Sequence, residues 1–100
     1  MDRDGYPDDP ELERIRTWSY TDPLGVLRFI ADLWRYPDYW TEIVGEDGMT
    51  TFYISTGGWS GNELLIDALQ ENYIVWGMCW VSSKRGGHYV CEVRKETKNG

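Results

Sequence analysis

Thr51-Phe52-Tyr53-Ile54-Ser55-Thr56-Gly57-Gly58-Trp59-Ser60-Gly61-Asn62-Glu63 is the stretch that decides the fold. Phe52, Ile54 and the β-branched threonines predict a short strand. Ser55-Thr56-Gly57-Gly58 predicts a turn, and Ser60 with Glu63 has the spacing of a capping box opening a helix. Trp59 and Leu64 then stand where a hydrophobic staple would form. The helix is expected from Gly61 to about Glu71, with Leu65, Ile66 and Leu69 on its buried side. A strand, a glycine turn and a helix N-terminus also make a seat for an anion, because free N–H groups and the helix dipole point the same way.

Working upstream, Trp40–Val44 is expected as a strand pairing with Thr50–Ser55 across the polar turn Gly45–Gly48. Before it, Val26, Leu27, Ile30, Leu33 and Trp34 repeat at helical spacing. Thr21 or Asp22 caps that helix, Pro23 opens it and Pro37 ends it. Ile15, Trp18 and Tyr20 are read as a short strand or turn, and residues 1–14 as a loose acidic terminus. Downstream, Tyr73–Ser83 reads as the longest strand, apolar on both faces and therefore central. Lys84–Gly87 is a hairpin loop, His88–Arg94 the last strand, and residues 96–100 a frayed tail. The fold class is α+β: a small antiparallel sheet of three to four strands with two helices packed on it, in one domain spanning 15–95.

One hundred residues, 41% hydrophobic and 15% aromatic, suffice for one core and not for two. The net charge of −7 is uneven: residues 1–47 hold twelve acidic side chains against five arginines, and residues 48–100 hold five of each sign. An acidic chain without a basic stripe is not expected to bind nucleic acid directly. No membrane span or secretory leader is evident, so a cytoplasmic location is expected. In that compartment Cys79 and Cys91 would be reduced, although one register of a hairpin sets their sulfurs opposite each other. One histidine and two cysteines give no zinc spacing, and no cofactor is expected.

Two glycine-rich loops carry the chemistry, Ser55–Asn62 and Ser82–His88. If both lie at one sheet end, the first brings Ser55, Thr56, Gly57, Gly58, Trp59, Ser60 and Asn62 to a ligand. The second brings Ser83, Lys84, Arg85, Gly86 and His88. Hydroxyls and glycine backbone would meet a phosphate, Arg85 would bind it bidentately and Lys84 would supply a point charge. Trp59, Trp76, Trp80 or Tyr89 would stack on a base. Each feature also has a plainer reading: a turn before a capped helix, a solvated hairpin tip, an exposed strand-end histidine, a tryptophan core. Neither G-x-x-x-x-G-K-[ST] nor G-x-G-x-x-G is present. His88 has Ser55, Ser60 and Cys91 as conceivable partners, but no spacing specifies nucleophile, base and orienting group, so no catalytic residues are expected.

At Tyr53–Glu63 and again at Trp80–Tyr89 (WVSSKRGGHY) the chain resembles a group of small proteins encoded by bacteriophages and prophages. The helix Leu24–Trp34 and the stretch Trp34-Arg35-Tyr36-Pro37-Asp38-Tyr39-Trp40 are similar to theirs as well, whereas the first 20 residues are not. The resemblance carries no activity with it, but it implies a role in countering a host. The expectation is a non-enzymatic binding protein for a nucleotide-like or other anionic small molecule. The alternative is an acidic inhibitor that mimics nucleic acid toward a basic host protein. Self-association is compatible with both.

Overall fold

Met49–Ser55 forms β2, with Thr50, Phe52 and Ile54 buried on one face and Thr51, Tyr53 and Ser55 on the other. In the computed structural model, which describes residues 5–94, both sides of β2 carry a partner. β1 (Trp40–Val44) runs antiparallel to it, with Trp40 opposite Ile54 and Val44 opposite Thr50. β4 (His88–Arg94) pairs on the other side, from Met49 opposite Arg94 to Ser55 opposite His88. β3 (Trp80–Lys84) completes a hairpin with β4, so the sheet has four antiparallel strands in the order β1-β2-β4-β3.

Among the described residues four helices, α1 (Asp9–Arg16), α2 (Pro23–Leu33), α3 (Ser60–Glu71) and α4 (Tyr73–Cys79), accompany the sheet, and Pro37–Tyr39 makes a short 3-10 turn. Phe52, Ile54, Cys91 and Val93 of the sheet share one core with Val26, Leu27 and Ile30 of α2 and Leu65, Ile66 and Leu69 of α3. The α+β reading holds, with Leu65, Ile66 and Leu69 buried as expected. Asp22 caps α2 by accepting from Gly25 N–H, and Pro23 is its first residue. The helix ends at Leu33, before Pro37 is reached.

Two segments differ from expectation. Tyr73–Cys79 is helical, and only Trp80–Lys84 is strand. A run apolar at nearly every position satisfies alternation and helical spacing alike. Val75 and Cys79, four apart, are the pair α4 buries. Residues 9–16, read as largely loose chain, form α1 and bury Leu12 and Ile15. Asp8 accepts from Glu11 N–H and Glu11 accepts from Asp8 N–H, both at 2.9 Å, a reciprocal capping box. Asn72 secures the far end of α1, donating at 3.0 Å to the carbonyls of Ile15 and Trp18. The tail expected to be frayed lies outside the described residues.

The Glu11 N–H holds the Asp8 carboxyl below its ordinary range. A pKa lowered by folding stabilises above the unfolded value, about 3.9, and that stabilisation is lost as pH falls through the folded value. Asp8→Ala is therefore expected to lower the melting temperature at pH 7 and to bring it closer to wild type near pH 2. Equal melting of the two proteins at pH 7 would remove the cap from the account.

Cys79 and Cys91 are free, buried thiols that perturb each other's ionisation. The neighbouring Cys91 lowers the Cys79 pKa, whereas Cys79 together with burial pushes Cys91 up.

Candidate functional site

The register that sets Ser55 opposite His88 also brings the two glycine loops together. Thr56 N–H donates to the Gly87 carbonyl at 3.0 Å, and the Ser55 hydroxyl lies 2.8 Å from His88 Nδ1. Gly87 has φ +78°, and a Cβ there would stand 2.2 Å from Thr56 Oγ1. Only glycine allows this crossing.

The loops meet, yet their residues do not converge on one face. Ser55, His88 and Lys84 lie in one cross-strand row, opposite in direction to the buried Ile54 and hence away from the helices. Ser83 is exposed on β3, and Arg85 and Gly86 are exposed at the hairpin tip. Thr56 and Asn62 are buried, and their polar atoms are occupied. Thr56 Oγ1 accepts from Gly58 N–H at 3.3 Å and its carbonyl accepts from Trp59 N–H at 3.2 Å. Asn62 Oδ1 accepts from Arg35 N–H at 3.0 Å, while its Nδ2 donates to the carbonyls of Arg35 at 2.9 Å and Thr56 at 3.2 Å. Asn62 therefore fastens the site and has no donor left for a ligand.

The start of α3 departs from the capping box. Trp59 occupies the cap position, where an indole cannot accept from the first-turn N–H groups, and Ser60 is already helical. The Ser60 hydroxyl hydrogen-bonds Tyr6 Oη at 2.9 Å instead. Among the described residues no side chain caps this terminus, and N–H groups without a cap keep their partial positive charge. The Trp59 ring lies across Gly61, where a Cβ would come within 2.3 Å of it.

The most informative neighbours were not among the expected site residues. Asn62 holds both backbone groups of Arg35, and the next residue, Tyr36, adopts φ 67° and ψ 74°, a left-handed conformation costly for a bulky residue. The Arg35 guanidinium then sits 4.8 Å from the Trp59 ring centroid and 5.6 Å from that of Tyr36. Tyr6 packs on the Trp59 ring at 4.9 Å, and Tyr39 lies 5.7 Å from Tyr36. Gly57, with φ +65°, passes so close under Tyr39 that a Cβ would be 2.7 Å from its ring. Trp34 Nε1 donates to the Ser55 carbonyl at 3.2 Å and ties this segment to β2. No carboxylate among the described residues pairs with Arg35. A cation between two rings, beside an uncapped helix start, can hold an anionic group and stack a planar one. The density of aromatics in residues 34–40 was the available signal.

Of the stacking candidates, Trp76 contacts Tyr89 and Trp80, at centroid distances of 6.0 and 6.5 Å, in a cluster of their own. His88 and Ser55 have the contact of a base and a nucleophile. Among the described residues nothing hydrogen-bonds the other ring nitrogen to orient it. Among those residues, too, no group of three or more His, Cys, Asp or Glu is placed to hold a metal. No helix among the described residues is long and apolar enough to cross a membrane. Compared with known protein families, curated proteins and solved structures, the chain matches none of them.

Proposed function

We propose that this is a non-enzymatic binding protein that takes an anionic, nucleotide-like molecule at the sheet end where the Gly57–Gly58 turn meets residues 34–40. The observation that carries the reading is Arg35: a guanidinium over the rings of Trp59 and Tyr36, beside a helix terminus whose cap residue, Trp59, makes no side-chain cap. A phosphate would take the guanidinium and the first-turn N–H groups, and a base would stack on the exposed faces of Tyr36 and Tyr39. Lys84 and Arg85, on the neighbouring hairpin, add positive potential rather than first contacts. With the likeness to phage-encoded proteins, the role that follows is sequestration of a nucleotide signal used in host defence.

A thermal-shift screen against mononucleotides, cyclic mono-, di- and trinucleotides and ADP-ribose tests this directly. A ligand at 100 times its Kd stabilises by about 2.7 kcal/mol, which for a domain this size is a rise of roughly 10 °C. Arg35→Ala is expected to weaken binding at least about tenfold, the loss of one charge-assisted contact. Arg85→Ala is expected to weaken it less. A larger effect at Arg85 than at Arg35 would move the site to the hairpin.

The acidic-inhibitor reading draws on α1, which spaces Asp9 and Glu13 on a helix instead of leaving them on a loose arm. It predicts a complex with a basic partner that weakens steeply with salt. Asp9→Asn with Glu13→Gln tests it, because these residues lie outside the Asp8–Glu11 cap. A flat nucleotide screen with a salt-sensitive partner would favour it.

A further inference from the structure

We infer that the exposed face of α4, continued into the start of β3, is the surface on which two copies of this chain pair about a twofold axis. From Tyr73 to Ser83 no residue is charged, in a chain that is 27% charged. In this stretch Tyr73 is 81% exposed, Ile74 59% and Met78 56%, and Trp80 and Val81 are exposed as well. Together these side chains present on the order of 600 Å² of mainly apolar surface, the upper end of what a monomer leaves open. A partner in a standard interface contributes about 800 Å², so this face with its rim is close to sufficient.

Gly77 supplies the second argument. It lies inside α4, where glycine costs about 1 kcal/mol relative to alanine. No atom of the described residues within 4 Å would meet a Cβ there, so their packing gives no reason for the missing side chain. Tyr73 and Ile74 precede it by four and three residues and Met78 follows it, which makes Gly77 the floor of a notch with apolar walls. A notch of that kind suits the close approach of another helix.

Charge selects the occupant. Two copies of a chain of net charge −7 repel each other, most strongly through residues 1–47, which carry the acidic excess. The uncharged face is where two copies meet with least repulsion, and a twofold axis at Gly77 sets like against like without pairing charges. The edge of β3 is not the contact, because the ladder shifts register between Trp80 and Ser82 and Lys84 ends the strand, two devices that discourage edge pairing.

Sedimentation equilibrium of the full chain at several concentrations tests the inference. Wild type is expected at twice 11.7 kDa in the micromolar range. Met78→Glu and, separately, Gly77→Gln are expected to raise the dimer Kd at least about tenfold. Both positions are exposed, so the far-UV spectrum and cooperative melting should persist. A wild-type monomer at 100 µM would overturn the inference, as would a dimer that both variants leave intact. A monomer that binds another protein through this face would overturn it too. Nucleotide binding at Arg35 uses other residues, so either proposal can fail alone.

Discussion

Replacing Asn62 with alanine is expected to destabilise the domain by about 3 kcal/mol, the cost of leaving several buried polar groups unpaired. The expected fall in melting temperature is roughly 15 °C for a domain of this size. Three hydrogen bonds end on this fully buried side chain: one from Arg35 N–H, and two to the carbonyls of Arg35 and Thr56. Alanine supplies none of them, and the cavity it leaves has room for about one water, too few to satisfy all three groups. Asn62→Asp separates the roles. An aspartate can still accept from Arg35 N–H, but it sets a carboxylate against two carbonyl oxygens, so it should be at least as damaging as alanine. The local consequence reaches the site, because the clamp on Arg35 is what supports the left-handed backbone at Tyr36. Urea denaturation of the two variants gives the numbers. A loss under 1 kcal/mol in both would mean that residues 34–40 are held by other contacts.

Gly87→Ala is expected to cost about 3 kcal/mol, combining the left-handed strain of about 1–2 kcal/mol with a steric clash. The clash is with Thr56 Oγ1, at 2.2 Å from the added Cβ. Thr56 cannot retreat easily: it is buried, and its own N–H is bonded to the Gly87 carbonyl. The neighbouring Gly86 is the control. Its φ is also positive, but a Cβ there would meet only the His88 ring, at 3.4 Å. Gly86→Ala should therefore show the backbone strain alone, about 1–2 kcal/mol. A Thr56→Ala background should return part of the Gly87→Ala loss, a coupling that a double-mutant cycle reads directly. Equal losses at positions 86 and 87 would show that the loops are not in contact as described.

These effects explain which parts of the molecule were legible in the sequence. β2 and α3 were, because strand alternation, glycines and the apolar spacing of Leu65, Ile66 and Leu69 agree locally. Whether the loops meet was not legible: the sequence allows it only if Thr51–Ser55 and the last strand share a sheet, and the register of β2 with β4 decides it. The cap was misread because Ser60 and Glu63 match a motif that their neighbours do not permit: Trp59 takes the cap position, and Tyr6, 54 residues away, takes the Ser60 hydroxyl. For α4, a run apolar on all sides carries no period, and Asn72, whose side chain accepts from Val75 N–H at 3.5 Å, was the one local sign of a helix start. At α1 the sign was stronger, Asp8 and Glu11 three apart with Pro10 between them, but acidity and prolines suggested loose chain instead. Arg35, Tyr36 and Tyr39 reach the site only through tertiary contacts. No spacing could have paired Arg35 with Trp59.

The account rests on one claim, that the turn at Gly57–Gly58, the start of α3 and residues 34–40 form a single anion-binding site. An amide-resolved NMR titration of the labelled chain with the same nucleotide panel tests it most directly. The account predicts saturable shifts at Arg35, Tyr36, Gly57, Gly58, Ser60 and Gly61, with the Arg35 and Trp59 side-chain N–H signals moving alongside them. The exposed face of α4 should stay still. Shifts centred on Lys84 and Arg85 with residues 34–40 unmoved would contradict the claim, and so would a spectrum that no nucleotide perturbs.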